Sequence, residues 1–410
     1  MINIFKRNKQ TIYAFTSNVS YTFLIWLLAI LINRYYGVET LGQYSSIQAI
    51  VSPIAIIFHL QMKVCLTIEK AVEKRLTHYI NLFAISQFLF LITILCLAYF
   101  FNKPILFISF AVFKIFESLM FVVQGYFQSN DNFDKALLIT SLKIILMLFS
   151  IVFVLSNNYN LLYIFFLTSF LWIMAFYFFD YKKIKADAGT LFSKPNFRII
   201  KPLFFSGIAL SLVNSFDTFL TAIPRYFLES YFGDIEVGKF TMILQFFIAA
   251  TIFVVSVGHP FLVRLKHHLL TNDFESYFRE VKKTSLIFVF FALIVIIFIS
   301  IFSKDIMKFA WGDNYVYLSN YLVYSMFGII PMFLSSIIIY SITALKYFAI
   351  HLKYYPLIIV SSVCLSWYLI PLYGVCGGVL TIVIVQFIRL VLTSLAFIYC
   401  FKKEKLKLYE

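Results

Sequence analysis

Few ionisable side chains fall within the long apolar segments of this chain, and they are the candidates for chemistry. Two are anionic and four are cationic: Glu117 and Asp217, with Lys114, Lys143, Arg225 and Arg389. A charge at the centre of a bilayer costs roughly 2.5 to 3.5 kcal/mol, so such residues face a partner or a watery cavity. This excess of cations is the most informative local feature of the chain.

The spacing of these charges leaves alternatives open. Lys114 and Glu117 are three residues apart, so on a helix they form either a structural ion pair or part of a site. Asp217 and Arg225 are about 12 Å apart along a helix, too far for a direct pair unless Pro224 distorts the turn between them. We expect these two residues to line a common cavity.

Snorkelling to the membrane interface is the competing interpretation for two of the cations. Arg225 and Lys143 either face a cavity or extend their charged ends to the interface, while Arg389 lies near the middle of its segment. We predict that Arg225, Lys114 and Arg389 face one hydrated cavity. Glu117 and Asp217 are then the candidates for binding a coupling ion.

The sequence carries no signature of an enzyme. It has no His/Glu metal spacing, no GxSxG, no phosphate-binding loop and no nucleotide fingerprint. The five cysteines lack CxxC spacing and are interpreted as structural: Cys65, Cys96, Cys364, Cys376 and Cys400. We therefore expect no catalytic residues, no metal and no cofactor.

The composition places the chain in a membrane. Its 410 residues are 62% hydrophobic and only 13% charged, and Tyr79 to Phe101 is one charge-free run. About 20 apolar residues suffice to cross a hydrocarbon core. The net charge of +15 does not indicate a nucleic-acid partner, because the chain has no soluble domain with a basic face.

Apolar periods and polar breaks predict an all-α polytopic fold of about twelve transmembrane helices. Two boundaries rest on short signals, namely the polar turn 156–160 and the Pro371 to Gly374 break. The predicted helices are 11–33, 41–62, 79–101, 104–127, 136–156, 159–179, 202–228, 240–263, 284–303, 318–344, 354–372 and 375–400.

The lysine and arginine residues are distributed unequally between the two predicted sides of the membrane. With the N-terminus in the cytoplasm, 25 of the 34 Lys and Arg residues fall on cytoplasmic segments, 5 on the far side and 4 inside helices. This asymmetry satisfies the positive-inside rule and predicts that both termini are cytoplasmic. The chain is then a multi-pass protein of the bacterial inner membrane, with the lipid bilayer as a partner.

An internal repeat appears at a shift of 196 residues. Residues 36–44 align with residues 232–240 without gaps, matching two glycines and two aromatic positions. The repeat predicts two parallel six-helix lobes related by a pseudo-two-fold axis. The lobes are 1–180 and 202–401, with 181–201 as a basic cytoplasmic linker and 402–410 as a basic tail.

Several short motifs together resemble the polysaccharide-export (Wzx) branch of the MOP flippase superfamily, which also contains the MATE multidrug exporters. Each motif is weak alone, but together they span nearly the whole chain. They are Asn33-Arg34-Tyr35-Tyr36-Gly37, Gly42-Gln43-Tyr44, Ile223-Pro224-Arg225-Tyr226, His259-Pro260-Phe261, Trp311-Gly312-Asp313-Asn314-Tyr315 and Pro371-Leu372-Tyr373-Gly374-Val375-Cys376-Gly377.

The resemblance implies a flippase that moves undecaprenyl-diphosphate-linked oligosaccharide, such as an O-antigen or other surface-polysaccharide unit, to the periplasmic leaflet. It implies alternating access driven by an ion gradient, and partners such as a polysaccharide polymerase and a chain-length regulator. It also implies a cationic substrate cavity. The candidate substrate-binding residues are Arg225, Lys114, Arg389, Lys143 and Arg34.

Three other functions fit the sequence less well. A polymerase or ligase would need a sizeable far-side loop, whereas the longest here, Ser303 to Tyr317, has about fifteen residues. Cation-coupled multidrug efflux would favour buried carboxylates over buried lysines and arginines. A peptidoglycan-precursor flippase of the same superfamily typically has two extra helices, for which no room remains after Phe401.

The charge asymmetry predicts the result of a topology experiment. Reporter fusions at Asn157 and Gly312 should read as periplasmic, and a fusion at Lys402 as cytoplasmic, because the basic segments stay inside. Paired alkaline phosphatase and fluorescent-protein fusions measure this. A cytoplasmic reading at Gly312 would contradict the topology.

Overall fold

The computed structural model describes residues 2–68, 76–101, 104–130, 132–188, 196–271, 273–345, 347 and 349–406, and almost all of them are helical. Helices satisfy every backbone hydrogen bond within the segment, which lipid requires. The helices are α1 (Ile2–His59), α2 (Met62–Ile68), α3 (Leu76–Phe100), α4 (Pro104–Ser129), α5 (Phe133–Ser156), α6 (Leu162–Ala175), α7 (Tyr181–Ala188), α8 (Phe197–Phe232), α9 (Asp234–Leu270), α10 (Phe274–Trp311), α11 (Ser319–Met326), α12 (Ile329–Ala344), α13 (Ala349–Tyr373) and α14 (Val375–Leu406).

All twelve predicted membrane segments fall on these helices. Among the described residues, nine helical stretches are long and apolar enough to cross a membrane. One of them, Val19–Leu66, overlaps both of the first two predicted segments. A kink in α1 at Gly37, whose φ is 86°, separates these two segments. The seventh and eighth predicted segments lie on α8 and α9. The prediction of an all-α, multi-pass membrane fold is confirmed.

The two breaks predicted from short signals are also confirmed. Helix α5 ends at Ser156, and the following turn places Asn158 at a positive φ of 55°. Asn tolerates this left-handed conformation better than most residues. Helix α13 ends at Tyr373, where Gly374 has a φ of 55°, so the chain turns directly into α14.

Other helix ends differ from the prediction. Helix α9 continues to Leu270 and α10 runs from Phe274 to Trp311, so most of the predicted loops 264–283 and 303–317 are helical. The predicted helices ended where the apolar run ended. A helix can continue beyond that point into water, because water solvates the charged side chains of its last turns. The predicted helix 318–344 is instead broken between α11 and α12 at Gly328.

The connection between α9 and α10 is short, and its last residue, Asp273, is the N-cap of α10. The Asp273 carboxylate accepts a hydrogen bond from the Ser276 backbone amide at 2.9 Å. This N-cap satisfies one of the free amides of the first turn. The hydrogen bonds from Ser276 hold the pKa of Asp273 below its usual value.

Contacts divide the chain into two compact units. Unit 1 comprises Met1–Leu24 and Ile47–Phe219, and unit 2 comprises Ile25–Ser46 and Leu220–Glu410. In unit 1, α4 packs against α2, α3, α5 and α6, and in unit 2, α14 packs against α9, α11, α12 and α13. The lobe boundaries drawn from the sequence stay a prediction, and residues 189–195 of the linker and 407–410 of the tail lie outside the described residues.

Within unit 2, the two copies of the repeat meet in a reciprocal contact. A Cβ at Gly42 would overlap the carbonyl of Asp234, and a Cβ at Gly238 would overlap the carbonyl of Val38. Gly42 and Gly238 are 196 residues apart, as are Val38 and Asp234. This exchange of equivalent partners is the signature of a local two-fold axis.

A hydrogen bond lies on the same axis. Thr241 Oγ1 donates to Ser45 Oγ at 2.5 Å, and both side chains are fully buried. Residues 45 and 241 are again 196 apart. The second residue of each repeat copy is a glycine with positive φ, Gly37 at 86° and Gly233 at 79°. The repeat seen in the sequence therefore has a structural counterpart in these two segments.

The reciprocal contact predicts the effect of adding a single methyl group. Gly42→Ala and Gly238→Ala should each destabilise the protein by roughly 1 to 3 kcal/mol, because the added carbon meets backbone that cannot rotate away. Thermal unfolding of the purified protein measures the loss.

Gly378→Ala is the matched control for this pair. Its added carbon would meet only side-chain atoms of Phe240 and Leu228, at 3.0 to 3.3 Å, and those atoms can move. An equal loss in all three variants would show that the reciprocal contact has no special role.

Candidate functional site

Unit 1 holds an ion pair on α4 between a half-buried lysine and a buried carboxylate. Lys114 Nζ donates to Glu117 Oε2 at 2.8 Å, which is the neighbour contact expected from their spacing. The hydroxyl of Tyr21 donates to the other oxygen, Oε1. Glu117 is only 5% exposed. Both oxygens of this carboxylate are therefore occupied by donors from within unit 1.

Lys143 lies beside this pair with its ammonium among aromatic rings. The residue is 3% exposed. Its Nζ lies 4.0 Å from the ring centre of Phe121, 4.1 Å from that of Tyr21 and 4.8 Å from that of Trp172. No hydrogen-bond acceptor among the described residues reaches Nζ. The side chain is thus enclosed within unit 1 and does not extend to the surface.

The cluster has more positive than negative charge. The carboxylate of Glu117 interacts electrostatically with the ammonium groups of both Lys114 and Lys143. His59 is within electrostatic range of all three groups, and Lys63 is within range of Lys143. One carboxylate therefore balances two lysines, the buried Lys143 and the half-buried Lys114, and the interaction is strong because little water screens it.

In unit 2, Arg225 is the most deeply buried guanidinium of the described residues. It lies on α8 directly after Pro224 and is 4% exposed. Its Nε has no hydrogen-bond partner among the described residues, and its charge interacts with Tyr44 and Tyr226. Planar guanidinium groups bind carboxylate or phosphate through two parallel hydrogen bonds. Arg225 thus retains a donor that an anionic ligand can use.

Arg389 belongs to a different polar cluster in unit 2. It is 7% exposed, and its Nη2 donates to the hydroxyl of Tyr355 at 3.4 Å. The ring of Tyr355 stacks on Tyr354, which shares a hydrogen bond with Nδ1 of His351. Helix α13 therefore holds Arg389 through its aromatic residues.

The remaining predicted residues occupy other surroundings. Arg34 is exposed, and its Nη2 donates to the carbonyl of Phe309 at 2.6 Å. Asp217 is half-buried on α8, within unit 1, whereas Arg225 on the same helix belongs to unit 2. The structure thus brings Lys114, Glu117 and Lys143 together. The single hydrated cavity and the ion-coupling role stay predictions.

An apolar groove of about 510 Å³ lies on unit 2 close to Arg34. It is lined mainly by aromatic and aliphatic side chains, with Asp305 as its one charged lining residue. Trp26 and Phe246 meet edge to face in it, with ring centres 5.8 Å apart. Helix α10 supplies most of the rest, including Phe309, whose carbonyl holds Arg34.

Sequence reasoning missed the aromatic residues that surround Lys143. Tyr21, Phe121 and Trp172 come from three different helices, and one residue in five of this chain is aromatic. Nothing in their local spacing distinguishes them from lipid-facing rings. The only available signal was Lys143 itself, because a buried lysine requires compensating neighbours.

Comparison with known proteins identifies the fold. No protein-family model matches the chain. The capsular polysaccharide biosynthesis protein CapF of Staphylococcus aureus is 24% identical over 392 residues, covering 92% of this chain and 96% of that protein.

Solved structures resemble the chain along almost its full length. The lipid II flippase MurJ, in an inward closed conformation, matches with a TM-score of 0.72 at 18% identity, covering 97% of this chain and 90% of MurJ. A point mutant of the Vibrio cholerae MATE transporter VcmN matches with a TM-score of 0.69 at 11% identity, covering 97% of both chains. The chain has the fold of the MOP transporters. The fold implied by the sequence motifs is confirmed.

The balance of charge in unit 1 predicts that Glu117 is needed for stability. Glu117→Gln should cost about 3 kcal/mol, because it leaves the buried Lys143 and the half-buried Lys114 without their counter-ion. The double variant Lys114→Met/Glu117→Gln should recover part of this loss, since it removes one of the uncompensated charges. Unfolding of the purified protein measures both effects.

Glu275→Gln serves as the control, because this carboxylate pairs with Arg279 on an exposed surface. Exposed pairs contribute little to stability. If Glu117→Gln were as mild as Glu275→Gln, or if the double variant were less stable than the single, the counter-ion role would be wrong.

Proposed function

We propose that the chain is a flippase of the bacterial inner membrane. Its substrate is an undecaprenyl-diphosphate-linked oligosaccharide, a repeat unit of a surface polysaccharide, carried from the cytoplasmic to the periplasmic leaflet by alternating access. The fold is that of transporters, and a relative of nearly equal length is a capsular polysaccharide biosynthesis protein. Both termini face the cytoplasm in this proposal, in accordance with the positive-inside rule.

The cation excess is the observation that supports this substrate class. In unit 2, the buried Lys, Arg, Asp and Glu residues of the described part of the chain are Arg225 and Arg389, both cationic. In unit 1, Lys114 and Lys143 share the one nearby carboxylate of Glu117. A diphosphate carries about two negative charges, and desolvating each costs several kcal/mol. Buried cations offset this cost along the path of the headgroup, while the polyprenyl tail stays in lipid.

Arg225 is the first choice for contact with the diphosphate. It is deeply buried, its Nε meets no acceptor among the described residues, and its planar guanidinium is suited to phosphate. Lys114, Lys143 and Arg389 contribute positive potential, although their contacts within the protein are more extensive. Arg34 is exposed beside the apolar groove and can meet a headgroup at the surface.

Ion coupling falls to Glu117 or Asp217 in this proposal. Glu117 is surrounded by lysines, so binding a proton or a sodium ion there changes the charge of the whole cluster. Asp217 lies on the helix that carries Arg225, near the position where α8 passes from unit 1 to unit 2. Return of the empty carrier then depends on the ion gradient. A polymerase and a chain-length regulator are the proposed protein partners.

Complementation of a flippase-deficient strain tests the role of Arg225. Arg225→Ala should lower surface polysaccharide at least about 10-fold at matched expression, the effect of losing a charge-assisted contact. Arg225→Lys should restore part of the export, because it keeps the charge but not the planar fork. Asp217→Asn tests coupling in the same assay.

Arg279→Ala is the control substitution, since it removes the same charge from an exposed position. Immunoblotting of membranes fixes the expression level of each variant. Export by Arg225→Ala at the wild-type rate would exclude the phosphate contact.

A further inference from the structure

The aromatic rings around Lys143 have the geometry of a cation-binding site. Three ring centres lie 4.0 to 4.8 Å from Nζ, well inside the roughly 6 Å limit for cation–π attraction. Tyr21, Phe121 and Trp172 come from α1, α4 and α6, so they approach the ammonium from different directions. Aromatic cages of this kind bind alkylammonium ligands in other proteins.

The ammonium itself interacts as a bound cation would. Nζ donates to no acceptor among the described residues, although the exposed fraction of Lys143 is only 3%. Its charge is compensated by the rings and by the nearby carboxylate of Glu117. A lysine with a purely structural role would more commonly direct its ammonium to an oxygen acceptor.

The walls of the cage are held by contacts other than the lysine side chain. Trp172 Nε1 donates to the backbone carbonyl of Lys143 at 3.1 Å, so this ring is fixed to α5 whatever side chain residue 143 carries. The hydroxyl of Tyr21 is bound to Glu117. Phe121 lies on α4 one turn after Glu117. The cage is therefore expected to persist when the lysine side chain is removed.

We propose that Tyr21, Phe121 and Trp172, with Glu117 as the nearby carboxylate, form a binding site for a small primary ammonium ion, and that Lys143 occupies this site as a tethered ligand. The site is separate from the diphosphate contact assigned to Arg225. Its occupation by Lys143 closes the site to other alkylammonium ligands and adds positive charge there. If the proposed function holds, this residue then favours an anionic headgroup in two ways.

Chemical rescue tests the proposal on the purified full-length protein. Lys143→Ala removes three methylene carbons and the ammonium, which together match n-propylammonium. Adding n-propylammonium chloride should raise the melting temperature of Lys143→Ala in a saturable manner, by about 3 °C or more, because a ligand that binds only the folded state stabilises it. Equal concentrations of n-propanol and of sodium chloride should not.

Two proteins with the cage already filled provide the controls. The wild type holds its own ammonium, and Lys143→Met fills the space with an unbranched apolar chain, so neither should respond to the amine. An equal response to n-propanol, or an equal response of Lys143→Met, would overturn the proposal. Absence of any shift in folded Lys143→Ala would overturn it too.

A second measurement decides the matter if Lys143→Ala does not fold. An ammonium against the indole of Trp172 should alter its fluorescence, so Lys143→Met should differ in emission from the wild type. The difference should disappear when both proteins also carry Trp172→Phe. Identical emission of Lys143→Met and the wild type would show that the ammonium does not interact with the cage.

Discussion

Desolvation of charge is the constraint on which the packing of unit 1 depends. Glu117 lies where water cannot solvate it, so each of its oxygens receives a donor, from Lys114 and from Tyr21. Lys143 has no such donor–acceptor partner among the described residues, and three rings take the place of water. Helix α4 carries the carboxylate and packs against four other helices of the unit. The charges thus explain why aromatic residues converge on this one position.

The fold was largely predictable from the sequence because lipid imposes simple rules on a chain. The lengths of the apolar runs predicted the twelve segments. Residues that break helices predicted the turns that the structure shows at Asn158 and Gly374. Helix ends outside the apolar windows were not predictable in this way, since a charged turn such as that before Trp311 remains helical in water. The break at Gly328 was missed because a single glycine within an apolar run is often helical, although Pro331 follows it closely.

The candidate site was predictable only in part. The contact between Lys114 and Glu117 followed from helical spacing, because residues three apart share a face. The cage around Lys143 did not, since it depends on how α1, α4 and α6 pack. Similarly, the reciprocal contact of Gly42 and Gly238 requires two segments 196 residues apart to meet, although the repeat itself was visible in the sequence.

The same cluster bears on the sign of charge that the protein accepts. A carboxylate beside aromatic rings is the chemistry that recognises organic cations, and unit 1 contains both. Here, however, Lys114 binds the carboxylate and Lys143 fills the cage, so the residues that could attract a foreign cation are already used. The charge that this cluster leaves uncompensated is positive. If the proposed function is correct, the two lysines suit an anionic headgroup better than a cationic ligand.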